Sequence, residues 1–268
     1  MPAEAETDEI SSPSSSRTMI VTRVCISRSS TIARSASVNR LTWDAYGADV
    51  ARSDEERRFV RRLLRWGREH RRSFPWREEA DPFRVLVAEI LLQRSRGSTV
   101  APVYTELWRR WSDAAALSHA RVDSIRAVIR PLGLLRRAET LKQLAAEVVV
   151  LGGVPTTLDG LLELPGVGLY AASATRAVAF ERRQATVDGV TARVYRRYFG
   201  LDNELSASVD RELWAVVDKV TPRTGVREWN WAVLDLAATV CLPGRPRCAM
   251  CPLESDCRWS LDQQARVS

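Results

Sequence analysis

Long apolar runs are missing from this sequence. No stretch approaches the roughly 20 residues that a membrane-spanning helix needs, and no charged-then-apolar leader is present. Both absences point to a cytoplasmic protein with no membrane partner. Sustained alternation of apolar and polar residues is missing too, which argues against strands and for an all-α fold. Cysteine is scarce, with five residues in the chain, and in a reducing compartment these are not expected to form disulfides.

What is present is ordinary globular material with a charge bias. The 268 residues are 45% hydrophobic and 27% charged, enough for one large or two modest domains with a core. A formal net charge of +7 leaves surplus positive potential on the surface, which favours a polyanionic partner, nucleic acid being the commonest. Residues 1–42 are rich in Ser, Thr and Arg and contain no aromatic residue. That composition reads as a disordered N-terminal extension, or as an over-called start with Met19 as the alternative. Cys25 lies in this stretch and belongs to no motif.

Helical signals begin near Ser53. Ser53 and Asp54 can cap a helix over 55–70 with Phe59, Leu63 and Leu64 inward and arginines outward. Phe74-Pro75-Trp76-Arg77 reads as a break, because the residue before a proline avoids the helical region. Asp81-Pro82 then opens a strongly apolar helix over 83–94. Further helices are expected over 99–111, 113–117, 122–129, 136–150, 158–164, 170–180, 190–199, 209–220 and 228–240.

Two of these helices are joined by Leu164-Pro165-Gly166-Val167-Gly168. Gly166 and Gly168 permit positive φ and leave backbone amides uncovered, and such amides at a helix N-terminus can point at a phosphate. The same turn also suits two packed helices with no ligand. Twenty residues after Gly168 stands Asp188, directly before another helical stretch, where a plain helix cap is the alternative. Further on, Cys241, Cys248, Cys251 and Cys257 are separated by six, two and five residues. Four thiolates in so short a loop can enclose a tetrahedral zinc ion or a four-iron cluster, and residue chemistry alone leaves both open.

Hairpin, aspartate and cysteines in this order resemble the helix-hairpin-helix DNA glycosylase superfamily, which includes endonuclease III, the MutY adenine glycosylases and the thymine–DNA mismatch glycosylases. The resemblance spans about residues 55–259. It implies an all-α, two-lobed fold, with a six-helix barrel lobe over 81–199 that carries the hairpin. A second helical lobe, over 53–80 and 200–260, would carry the cysteine loop. The spacing resembles the iron–sulfur loop of endonuclease III and MutY and implies a 4Fe-4S cluster, with Arg245 and Arg247 in its long first loop placed to contact phosphates. The implied partner is double-stranded DNA with a mismatched or damaged base, bound by a monomer that is nucleoid-associated in a bacterium.

The same resemblance assigns a pocket. Asp188 would stabilise positive charge on the sugar as the base leaves, electrostatically or as a transient nucleophile. Glu89 sits among Val85, Leu86, Val87, Ile90, Leu91 and Leu92, and burial there would raise its pKa toward a proton-donor role. A plain polar stripe through Glu89 and Gln93 is the alternative, but Glu-Ile-Leu-Leu-Gln-Arg resembles the helix that carries the pocket glutamate in MutY and the thymine mismatch enzymes. Tyr170 occupies the position where endonuclease III-like enzymes have a Schiff-base lysine; a phenol cannot form that imine, so lyase chemistry is not expected.

Flipping a nucleotide leaves a void. By position Gln93, Arg94 and Leu134-Leu135 resemble the wedge elements that fill it, although the leucines fit a core equally well. The stretch over 133–142 looks closer to the thymine mismatch enzymes than to MutY. Only 11 residues follow Cys257, with nothing to supply the second domain by which MutY enzymes recognise 8-oxoguanine. Val190 is a departure, since both branches place an asparagine there and a valine cannot hydrogen-bond a water or sugar group. The expected activity is monofunctional excision of thymine or uracil opposite guanine. An adenine glycosylase lacking the recognition domain, and a non-catalytic lesion binder, are the alternatives.

Overall fold

The structure, a computed structural model, describes residues 52–203 and 205–267. The expected extension over 1–42, with Met19 and Cys25, lies outside the described residues. Every described element is helical, and no strand occurs among the described residues. No described helix is long and apolar enough to cross a membrane.

Caps set most of the boundaries. α1 (Asp54–Glu69) opens on a capping box in which the Ser53 hydroxyl accepts from the Glu56 amide and the Glu56 carboxylate accepts from the Ser53 amide. It buries Phe59, Val60, Leu63 and Trp66. A single 3₁₀ turn, Pro75–Arg77, occupies the expected break. α2 (Pro82–Leu92) is capped by Asp81 and starts on its proline. It ends two residues before the expected limit, because Gln93 turns to ψ 115° and Arg94 enters the left-handed region at φ 57°.

α3 (Gly97–Arg110), α4 (Ala114–His119), α5 (Val122–Ile129) and α6 (Arg137–Val150) follow, with Gly133 reversing the chain at φ 78° before α6. α7 (Leu158–Leu162) and α8 (Leu169–Val178) flank the short hairpin, and α9 (Gly189–Phe199) begins on Asp188. α10 (Arg211–Val220), α11 (Val226–Thr239) and α12 (Arg258–Val267) complete the order. α12 was not expected from periodicity: its few apolar residues give no clear stripe, and it is held by packing on α9.

Two buried clusters organise these helices. One is built from 76–172 and includes Leu86, Ile90, Leu107, Leu141 and Leu161. The other joins α1 to residues 185–253, with Phe59, Tyr195, Tyr198 and Trp229 fully enclosed. Each buried leucine or aromatic ring contributes about 1.5–3 kcal/mol. α1 and α11 approach so closely that a Cβ on Gly67 would lie 2.5 Å from the Ala232 methyl. We propose that these two cores are the two lobes, with the boundary between α8 and α9, since α9 buries Ala192, Val194, Tyr195 and Tyr198 in the second core.

One buried ion pair ties the 3₁₀ turn to α11. Arg77 and Asp235 have side chains 3% and 1% exposed, and the guanidinium grips the carboxylate at 2.7 and 2.8 Å. Arg72 adds its amide at 3.0 Å and its Nε at 2.6 Å to the same carboxylate. Removing one member of such a pair strands a buried charge. Asp235→Ala is therefore expected to lower unfolding free energy by about 3–5 kcal/mol in urea denaturation; a loss below about 1 kcal/mol would mean the pair is not structural.

Candidate active site

α2, α8 and α9 each deliver one ionisable side chain to the same region, and α8 packs against both α2 and α11. Glu89 sits in the last turns of α2, half-buried among enclosed apolar neighbours. Burial pushes its carboxyl pKa up to about 7, and the Asp188 carboxylate pushes in the same direction while the Arg77 guanidinium opposes both. Tyr170, in the first turn of α8, has its phenol pKa raised by burial and then by the charges of Glu89 and Asp188. Tyr195 on α9 is fully enclosed, and burial together with Asp188 raises its phenol as well. The three expected pocket residues thus act on one another, and Arg77 and Tyr195 join them. Sequence reasoning read Arg77 only as part of a chain break, since its buried carboxylate partner is remote in the chain.

Asp188 is a helix cap, and the way it caps is informative. Its Oδ1 accepts from the Val190 amide at 3.0 Å, the Thr191 amide at 2.7 Å and the Thr191 hydroxyl at 2.8 Å. No hydrogen bond among the described residues reaches Oδ2. One oxygen is taken up by the helix cap and the other is not. Val190 contributes its amide to this cap, while its side chain is 43% exposed.

The hairpin departs in part from expectation. Gly166 does adopt φ 76°, but Gly168 has φ −98° and takes the N-cap position of α8 in extended backbone, which any residue can adopt. Leu164 and Val167 are buried, and the Val167 amide donates to the Leu164 carbonyl at 3.2 Å, so Val167 anchors the turn instead of presenting a donor. Gly166 and Gly168 are exposed and Pro165 is half-buried, and no side chain caps α8. Gln93 lies against this turn, its Nε2 donating to the Gly166 carbonyl at 3.4 Å. Arg94 is exposed, as are Leu134 at 36% and Leu135 at 42%, which removes the core reading of the leucines.

The four cysteines are free and half-buried. They line one small pocket together with Val240, Arg197, Trp259 and Ser260. Burial pushes the Cys251 thiol up to about 12 and raises those of Cys248 and Cys257. Among the described residues no group of three or more His, Cys, Asp or Glu side chains forms a metal-ion site as it stands. The donor set still suits a thiophilic group, being four soft sulfurs around a single cavity. Arg197 donates to the Cys241 Sγ at 3.5 Å and to the Leu242 carbonyl at 2.8 Å. Arg245 and Arg247 are exposed on the rim, with Arg247 reaching only the Thr239 carbonyl at 3.5 Å.

Comparison with known proteins follows the same lines. Residues 87–219 match the family described as HhH-GPD superfamily base excision DNA repair protein. A thymine/uracil-DNA glycosylase of Pyrobaculum aerophilum is 36% identical over 214 residues, covering 77% of this chain and 93% of the relative. The human adenine DNA glycosylase is 34% identical over 208 residues, covering 73% of this chain but only 38% of the relative. Among solved structures, a thermostable thymine-DNA glycosylase superposes with a TM-score of 0.73 at 32% identity, covering 78% of this chain and 97% of that one.

The raised Glu89 pKa makes a stability prediction that needs no substrate. Folded Glu89 keeps its proton to about pH 7, against an ordinary 4.5. Across that window the folded state binds more protons than the unfolded state, so this group's contribution to stability falls as pH rises. The Glu89→Gln variant should therefore gain stability relative to the parent from pH 4.5 to about 7 and then level off. Thermal melts of both proteins across this range would read the difference; a flat difference would mean Glu89 titrates normally.

Proposed function

Because the chain belongs to the HhH-GPD superfamily of base excision DNA repair proteins, we propose that it is a monofunctional DNA glycosylase that removes thymine or uracil paired with guanine. The observation that carries this reading is the shared electrostatic environment of Glu89, Asp188 and Tyr170. Two carboxyl groups with different partners can hold different protonation states at one pH, which is what an acid and a cation-stabilising base require.

In this reading the flipped pyrimidine enters beside Glu89, whose protonated carboxyl can donate to a carbonyl oxygen of the departing base. The free Oδ2 of Asp188 stabilises the positive charge that grows on the sugar as the glycosidic bond breaks, and water completes the hydrolysis. Tyr170 supplies no amine, so no imine with the sugar forms and the strand is left unbroken. Pro165, Gly166 and Gly168, with the uncapped amides of α8, are placed to receive a backbone phosphate. Arg245 and Arg247 offer cations beside the cysteine loop.

Cys241, Cys248, Cys251 and Cys257 are the residues that would hold a 4Fe-4S cluster. Such a group, when bound, would hold the four thiols as thiolates and tie residues 241–257 into one folded unit. Protein purified without oxygen should be brown, with iron and acid-labile sulfide in equal amounts. Zinc and a colourless protein would favour the tetrahedral alternative.

The deciding assay incubates the protein with labelled duplexes carrying T·G, U·G, A·G or A·8-oxoguanine and then splits abasic sites with alkali. Product from only the pyrimidine mismatches supports the proposal. Product from only the adenine pairs supports an adenine glycosylase, and binding without product supports a lesion binder. Breaks without alkali would overturn the assignment of Tyr170. Asp188→Asn keeps an N-cap side chain but loses the charge, so turnover should fall about 10²–10³-fold with DNA affinity retained.

A further inference from the structure

The first turn of α6 meets both segments that this reading places on DNA. Arg137 is a buried arginine with no carboxylate partner among the described residues. Its Nη1 donates to the Leu91 carbonyl at 2.9 Å and the Ser95 hydroxyl at 3.2 Å, and its Nη2 donates to the Gln93 carbonyl. All three acceptors belong to the segment over 91–95, where the chain leaves α2 and Arg94 takes an uncommon positive φ of 57°. One helical turn on, the Thr140 methyl fills the space beside Gly166, 2.2 Å from where a Cβ would sit. Gln93 closes the triangle through its bond to the Gly166 carbonyl. The exposed Leu134 and Leu135 belong to the same turn, their carbonyls accepting from the Arg137 and Ala138 amides at 3.0 Å each.

We infer that Arg137 is a positioning residue: it fixes Gln93 and Arg94 relative to the hairpin before DNA arrives, so that the void-filling group stands at a set distance from the phosphate anchor. The inference rests on the glycosylase reading. Its physical basis is directional. A planar guanidinium serves several acceptors in a fixed fork, whereas a lysine ammonium on a flexible stem cannot hold all three. Carbonyls bound this way cannot relax, and a pre-set wedge avoids the ordering cost of assembling on the duplex.

The test uses the full chain and Arg137→Lys, Gln93→Ala and the double variant. Arg137→Gln stands in if the lysine variant does not fold. Affinity is measured for a duplex holding a stable abasic analogue opposite guanine, and for the undamaged duplex. A 2-aminopurine beside the abasic site reports wedge insertion. The expected result is a loss of abasic-over-undamaged preference between about tenfold and a hundredfold for Arg137→Lys. Undamaged-duplex affinity should be unchanged, the 2-aminopurine signal should fall, and the double variant should be no worse than the poorer single one. A parent-like preference, equal loss on both duplexes as a general folding defect would give, or multiplying effects would overturn the inference. So would a parent chain with no abasic preference. These readouts need no turnover, so a parent that prefers the abasic duplex but excises nothing would sink the glycosylase proposal and leave this one to be judged by itself.

Discussion

A carboxyl group buried beside a second carboxylate ionises only at a cost, and Glu89 meets that cost beside Asp188. The Asp188 carboxylate adds to the cost of charging Glu89, and the surroundings of the two groups differ. Glu89 lies among apolar side chains of α2, whereas one oxygen of Asp188 collects three donors at the start of α9. Apolar surroundings let Glu89 keep its proton to about pH 7. The Arg77 guanidinium opposes the rise of Glu89, and it is fixed in place: Arg77 is locked to Asp235 of α11, with Arg72 on the same carboxylate. Arg77 also lies 5.4 Å from the Trp231 ring centroid, so its guanidinium is boxed by charge and by an aromatic face.

The helical framework follows from that need for precision. α8 bridges α2 and α11, and α11 in turn packs on α1 and α9. Close approach is permitted by small residues, with Gly67 facing Ala232 and alanines filling much of the buried face of α8. Caps then set the exit points. Asp81, Thr157 and Asp188 each fix where a helix begins to within a residue, and the ionisable side chains inherit that accuracy.

Local chemistry made the helix starts legible in the sequence, because a cap and its helix are neighbours in the chain. Ser53, Asp81-Pro82 and Asp188 were readable for that reason. The Arg77–Asp235 pair was not, since its members are separated by 158 positions and nothing local distinguishes Arg77 from the many surface arginines. Arg137 was hidden in the same way: its acceptors, two backbone carbonyls and the Ser95 hydroxyl, lie more than 40 positions away, and carbonyls leave no mark on a sequence. Gly168 failed for a different reason. Glycine allows a positive φ without requiring one, and here the neighbouring Gly166 alone supplies the reversal. The resemblance brought Glu89, Tyr170 and Asp188 together before any coordinates, whereas helical periodicity placed only their helices.

Asp188 caps α9 through one oxygen of its carboxylate. A carboxylate has two oxygens, and capping needs only one. Oδ1 takes the amides of Val190 and Thr191 and the Thr191 hydroxyl, which fixes both side-chain torsions. Oδ2 is thereby held with no hydrogen bond among the described residues, and in the proposed glycosylase it is the atom that would meet the charge growing on the sugar. In that proposal the cap serves the second oxygen, since an uncapped aspartate would rotate and lose the orientation that electrostatic stabilisation depends on. Val190 enters through its backbone, since the amide that binds Oδ1 is present whatever the side chain. A valine at that position therefore leaves the cap of Asp188 intact.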